Sequence, residues 1–196
     1  MPDRYTNFAE LVADTTEGFD FRVRWRKGTS GLAVIAPHGG GIEPGTSELA
    51  DAVAGSDHAL YVFEGSRSSG NRSLHLTSTR FDDPRCLELL AGADRVLALH
   101  GESSESVSAF MGGLDSEFAD RISRRLEAVT TVRVHPQWTG ANPANICNRA
   151  RSGKGVQVEL SRGLRASCFA SLKRDGRRFP TARFAVFVAA MRSAFR

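Results

Sequence analysis

The apolar positions of the chain come in short blocks with two different periods. Residues 32–36, 59–63 and 95–99 are nearly continuous apolar runs, the pattern of strands buried on both faces. Residues 21–26 alternate apolar and basic side chains, which predicts a half-exposed strand. Residues 156–160 set Val156, Val158 and Leu160 against Gln157 and Glu159, a further strand. Residues 132–135 and 73–77 predict two more, the second carrying His75. Helical spacing takes over at Phe8, Leu11 and Val12, at Leu49, Ala50 and Val53 within 47–54, and across 84–91. Phe118, Ile122 and Leu126 line up in a helix capped by Asp115 or Ser116 and ending at Glu127. A last helix, 182–195, follows Pro180 and Thr181; it is apolar on most faces and is expected to lie flat on the sheet. Residues 111–115 read as a turn and 161–165 as the exit from a strand. The loops 65–72 and 138–155 are long enough to be binding elements.

Strands that alternate with helices predict one α/β domain over 1–196, a mixed and largely parallel sheet between helix layers. Composition agrees: 196 residues, 41% hydrophobic and 24% charged, suit a single folded core. The three cysteines, Cys86, Cys147 and Cys168, include no Cys-x-x-Cys pair, so neither a disulfide framework nor a zinc ribbon is expected. No apolar run approaches the ~20 residues of a membrane span, and 1–18 lacks a charged-then-apolar leader pattern. A cytoplasmic monomer is expected, or a protein released by lysis. The formal charge of +4 and the excess of arginine over lysine favour an anionic partner, with forked guanidinium groups suited to carboxylate or phosphate. Nucleic acid is the weaker candidate: the basic stretches carry few stacking aromatics and no recognised binding motif.

Two of the apolar strands end alike. Ile35-Ala-Pro-His38 and Ala98-Leu-His100 each present a histidine at the carboxyl end, the edge where α/β sheets bind ligands. Gly39, Gly40 and Gly41 then strip side chains from the first turn, and Glu43 follows on a segment free to fold back. If the strands are parallel neighbours, His38, Glu43 and His100 form a His-Glu-His set, the donor composition of a catalytic zinc site with one position left for water. Glu159 interrupts an otherwise apolar strand and is the candidate general base and acid. His75 and His135 are the substitutes should Glu43 turn to solvent, and His135 is the rival to His100. His58, beside Asp57, is expected at the surface. Arg67, Arg72 and Arg80 flank one loop, and Arg149, Arg151, Lys154, Arg162 and Arg165 surround the Glu159 strand. A cleft lined by part of this set would hold carboxylates.

The run Pro37-His-Gly-Gly-Gly-Ile-Glu-Pro-Gly-Thr-Ser-Glu-Leu49, the strand-end Leu99-His-Gly101, Asn145-Ile-Cys-Asn-Arg149 and Gly155-Val-Gln-Val-Glu-Leu-Ser-Arg-Gly-Leu-Arg165 resemble the poly-γ-glutamate hydrolase family of bacteriophages and bacteria, in order and along nearly the whole chain. The resemblance implies a zinc-carboxypeptidase-like fold and one Zn²⁺ ion, held by His38, Glu43 and His100. It also implies cleavage of γ-glutamyl amide bonds with Glu159 as the base. The His-to-Glu spacing is two residues longer than in the carboxypeptidases. Asn71 and Arg72 are the nearest match to the pair that holds the substrate terminus, with Arg149 a rival; Arg72 would steady the oxyanion. His75, Arg149, Arg162 and Arg165, with Asn71, are the expected substrate contacts. The runner-up activity is a zinc deacylase or peptidase on another acidic amide. A basic nucleic-acid-binding module without chemistry is the alternative of another class.

Overall fold

The continuous apolar runs become the middle of one sheet. In this computed structural model, which describes residues 3–195, the strands are β1 (Phe21–Arg26), β2 (Leu32–Gly40), β3 (Ala59–Gly65), β4 (Arg95–Gly101), β5 (Ser108–Gly113), β6 (Thr131–Val134) and β7 (Val156–Leu160). Their order across the sheet is β1-β3-β2-β4-β7-β5-β6. The β1/β3 and β7/β5 pairs are antiparallel and the other neighbours parallel. The mixed, largely parallel sheet expected from the sequence is therefore present.

Six helices cover it: α1 (Phe8–Asp14), α2 (Thr46–Ala54), α3 (Pro84–Ala91), α4 (Ser116–Leu126), α5 (Arg162–Ser167) and α6 (Ala182–Ser193). The central strands β2, β3 and β4 split their side chains between two cores, as their period of two requires. Val34, Leu97, Leu99, Val156 and Val158 join Leu49, Ile122, Leu164 and Phe187 of α2, α4, α5 and α6. Ile35, Tyr61, Phe63 and Ala98 join Phe8, Leu11, Leu89 and Leu90 of α1 and α3 on the opposite face. Asp83 caps α3 by accepting the Arg85 N–H, and Asp115 caps α4 by accepting the Phe118 N–H. No helix among the described residues is long and apolar enough to cross a membrane.

Three local expectations are corrected, and the exit from β7 proves to be a helix. Residues 73–77 are no strand: a 3-10 turn, Asn71–Leu74, runs into coil carrying His75. Leu74 and Leu76 alternate because the segment lies over the sheet face and buries both beneath it. Residues 111–115 are not a turn, since β5 occupies Ser108–Gly113, its Ala109 and Met111 facing the core. Residues 161–165 leave β7 as α5, whose first N–H groups are capped by Ser161. The α6 helix does not lie on the sheet; it sits against α2 and α4, burying Phe187 and Met191 while Val186 stays 52% exposed.

Candidate metal centre

Because β2 and β4 are parallel neighbours, their strand-end histidines meet. His38 Nδ1 lies 3.1 Å from His100 Nδ1 and 3.4 Å from Glu43 Oε1, and His100 Nδ1 lies 3.9 Å from Glu43 Oε2. All three side chains are buried. The glycine turn brings Glu43 there. Gly40 takes φ +63°, a Cβ at Gly41 would overlap the Asn71 amide, and the Glu43 N–H closes onto the His38 carbonyl at 2.8 Å. The Gly101 N–H then donates to Glu43 Oε2 at 2.7 Å. A Cβ at Gly101 would meet Glu43 Cβ at 2.8 Å and Arg165 Cζ at 2.7 Å, which is why a glycine follows His100.

His75 reaches the same place from the coil after the 3-10 turn. Its ring centroid is 4.1 Å from that of His38, and a ligand atom from each of His38, Glu43 and His75 lies within 4.8 Å of the others. The amino-terminal segment holds it. Asp3 Oδ1 is 2.7 Å from His75 Nδ1, and Asp3 Oδ2 accepts the Thr77 N–H at 2.5 Å. The cluster thus offers four donors: the facing His38 and His100 Nδ1 atoms, the Glu43 carboxylate, and His75 with its ring tilted against that of His38.

Donor chemistry and spacing fit a zinc ion. Tetrahedral ligands about 2.0–2.1 Å from zinc stand about 3.3 Å from one another, and the separations of 3.1, 3.4 and 3.9 Å bracket that value. His38 Nε2 is 2.7 Å from the Leu76 carbonyl. With its proton fixed there, the Nδ1 lone pair is free for the centre. The two Nδ1 atoms face each other across 3.1 Å beside the Glu43 carboxylate, and His100 Nε2 is buried with no hydrogen-bond partner among the described residues.

The charges point the same way. Burial pushes the Glu43 carboxyl up, but His38 first, then His100 and the Gly101 N–H, hold it at about 2. Burial and the neighbouring His38 push His100 down to about 3 and His75 to about 4. At His38 itself Glu43 outweighs burial, and the group rests above its ordinary value. Burial, followed by the charges of Glu43 and Glu102, pushes Glu159 well above the carboxylate range against the pull of Arg165. Three buried glutamates crowded beside one another and beside His75 and His100, whose charged forms burial disfavours, are a poor arrangement alone and a good one around a dication.

Glu159 sits on β7 directly beside His100 in the parallel register. Gln157 Nε2 donates to Glu159 Oε1 at 2.9 Å, Asn145 Nδ2 donates to Gln157 Oε1 at 2.9 Å, and Asn145 Oδ1 accepts the Cys147 N–H at 3.1 Å. This buried amide relay sets the orientation of the carboxylate. Sequence reasoning left out Gln157 and Asn145 as functional residues. The available signal was Gln157, a second polar residue on the Glu159 side of an apolar strand.

The other expected site residues are placed as follows. Asn71 is buried and uses its amide on the loop, accepting the Arg67 N–H at 3.0 Å and donating to the Arg67 carbonyl at 2.9 Å. Arg72 and Arg149 are exposed and have no ion-pair partner among the described residues. Arg162 is exposed and paired with Glu105 at 2.6 Å. Arg165 is buried, and its guanidinium donates to the carbonyls of Leu160 (3.1 Å), Pro44 (2.6 Å) and Glu102 (2.8 Å). It ties together the loops that carry Glu43 and Glu102. His135 lies away from the cluster, stacked on Trp138 with ring centroids 4.2 Å apart. His58 is not at the surface: it is buried against Ser30 and Phe195.

A poly-gamma-glutamate hydrolase family profile matches residues 5–190. The chain belongs to the poly-γ-glutamate hydrolase family. Among curated relatives of Bacillus subtilis (strain 168), UPF0714 protein YndL is 38% identical over 85% of this chain and 67% of its own length. SPbeta prophage-derived UPF0714 protein YoqZ is 35% identical over 89% of this chain and 65% of its own. The chain therefore spans about two thirds of these two relatives. The solved structure of a bacteriophage poly-γ-glutamate hydrolase superposes with a TM-score of 0.95 at 32% identity, covering 98% of this chain and 96% of that one. A zinc-free structure of YndL gives 0.91 at 36% identity, over 98% and 97%. An N-formylglutamate amidohydrolase from Ralstonia eutropha JMP134 shares the fold, with a TM-score of 0.56 at 13% identity over 90% of this chain and 95% of the other.

Proposed function

We propose that this family member is a zinc-dependent amide hydrolase that cleaves γ-glutamyl bonds of poly-γ-glutamate. One observation carries the metal reading: His38 Nδ1, His100 Nδ1 and the Glu43 carboxylate converge within 3.9 Å in a buried pocket beside Glu159. The family supplies the substrate, and the zinc-free form of its relative YndL supports zinc as the ion. His38, Glu43 and His100 would hold the ion, with His75 adjacent. Zinc bound there would polarise the scissile carbonyl and acidify the attacking water. The chain's own groups do the rest. Glu159, aimed by Gln157, accepts the proton from the water and returns it to the leaving amine. Arg165 balances part of the carboxylate charge around the reacting centre. The exposed Arg72 and Arg149 offer guanidinium forks to the α-carboxylates that a γ-linked glutamate chain carries at every unit.

The test is metal analysis of the purified protein together with release of glutamyl units from poly-γ-glutamate. One zinc per chain, with hydrolysis lost on chelation and restored by zinc, is expected. A protein that takes up no zinc, or that hydrolyses poly-γ-glutamate equally well in chelator, would sink the reading. Parallel assays on N-acyl amino acids and γ-glutamyl peptides separate it from a deacylase of other acidic amides.

A further inference from the structure

The sheet register continues past the candidate base. His100 pairs with Glu159, Glu159 with Phe110, and Phe110 with Arg133, so these four side chains stand in one row on one face of β4, β7, β5 and β6. The row runs from the metal centre to the open edge of the sheet, because β6 is its last strand. Phe110 is half-buried next to a buried carboxylate. The His135 ring stands edge-on to it at 5.2 Å, and Trp138 stacks on His135, which builds a wall beside the Phe110 floor. Arg133, at the end of the row, is exposed. Many arginines of this chain are tied to carboxylates, as Arg24, Arg67, Arg85, Arg162 and Arg177 are, whereas Arg133 has no carboxylate partner among the described residues.

We propose that this strip is a substrate subsite, with Phe110 as its floor and Arg133 as the anchor for the α-carboxylate of the second γ-glutamyl unit from the bond being cut. The proposal rests on the hydrolase reading above. The dimensions suit it. Glu159 and Arg133 are two strand spacings apart, about 10 Å. Successive α-carboxylates on an extended γ-linked chain are five backbone bonds apart, about 6 Å, so the second unit from the cut, one repeat beyond the unit that flanks the bond, lies within reach of the Arg133 side chain. The methylenes of the same unit would cross the Phe110 ring, and the open edge lets a long polymer run on into solvent. Arg133 thereby makes the enzyme discriminate by length: a substrate of two units ends before the anchor, and a polymer does not.

The experiment compares kcat and KM of the zinc-loaded wild type, Arg133→Glu, Arg133→Lys and Phe110→Ala on long poly-γ-glutamate and on a two-unit γ-glutamyl substrate. Arg124→Glu, an exposed arginine on α4 across the sheet, controls for net charge, and thermal melts confirm folding. Arg133→Glu is expected to raise KM for the polymer by about tenfold while kcat and the short substrate stay within about twofold. Arg133→Lys should lie closer to the wild type, and Phe110→Ala should raise KM for the polymer less than Arg133→Glu does. An unchanged polymer KM in Arg133→Glu overturns the subsite, and so does an equal rise in Arg124→Glu. If the wild type leaves the polymer intact, the hydrolase reading fails by itself. Retention of labelled polymer by the same variants still decides the subsite, since wild-type retention by Arg133→Glu overturns it.

Discussion

The two ends of the central strands each carry buried histidines, and they are built on opposite rules. At the amino ends, His58 is closed on every side. Its Nδ1 is 2.5 Å from the Ser30 hydroxyl, its Nε2 is 3.4 Å from Asp57 Oδ2, and Asp57 in turn accepts from Arg192 at 2.8 Å. The Phe195 ring packs edge-on against the imidazole. The residue types Ser30, His58 and Asp57 would read as a catalytic trio on paper. In place they form a fastener between the strand start, the turn after α2 and the end of α6. At the carboxyl ends the opposite holds: two Nδ1 atoms face each other, a carboxylate faces both, and one ring nitrogen has no partner. A histidine is read less by the residue types around it than by whether its nitrogens are already spoken for.

The sharpest way to break this comparison is to remove one histidine from each end. His38→Ala is expected to abolish zinc uptake, seen by metal analysis and calorimetry, and hydrolysis with it, whereas His58→Ala keeps both. Glu159→Gln separates chemistry from binding. It should retain zinc and the melting temperature while kcat on poly-γ-glutamate falls by about 10²–10⁴-fold. Next comes stability. Zinc at about 100 times its dissociation constant should raise wild-type stability by about 2.7 kcal/mol, and His100→Ala should remove that increment without lowering the metal-free baseline comparably. His58→Ala should instead lower the baseline by about 1–3 kcal/mol in urea unfolding, with or without zinc.

The smallest effect is in pH. Burial pushes His58 below its ordinary value, and Asp57 pulls it back only in part while Arg192 pushes it further down. A depressed folded value means that His58 contributes stability in full above the unfolded value of about 6.5. That contribution is lost as the pH falls through the folded value. Urea midpoints followed from about pH 7.5 to about pH 5 should fall more steeply in the wild type than in His58→Gln. Parallel slopes would mean that the amino-end histidine does not titrate in this window.

Much of this was legible in the chain itself. Leu32–Ala36 and Arg95–Leu99 are apolar enough to be central strands, and a histidine at each end of parallel neighbours is a local pattern with a non-local consequence. Glu159 stood out for the same reason. The contacts that hold His75 and Arg165 in place were not legible, because they join segments distant in sequence. Asp3 meets His75 from 72 residues away, and Arg165 meets Pro44 from 121. The strand β5 escaped notice because its short, glycine-ended run owes its state to the ladder with β7, not to its own pattern. His58 was misjudged because a His beside an Asp after a helix looks solvated until α6 is folded over it.

Gly101 carries a last consequence, for how such a site can change over generations. Even an added methyl there meets Glu43 on one side and the Arg165 guanidinium on the other. A larger residue can enter only if both neighbours have already shifted, and one of those moves disturbs Glu43 itself. The position is therefore locked by order of events: any residue larger than glycine at Gly101 needs room made first at Glu43 and Arg165, whereas the exposed arginines around the cleft can change one at a time.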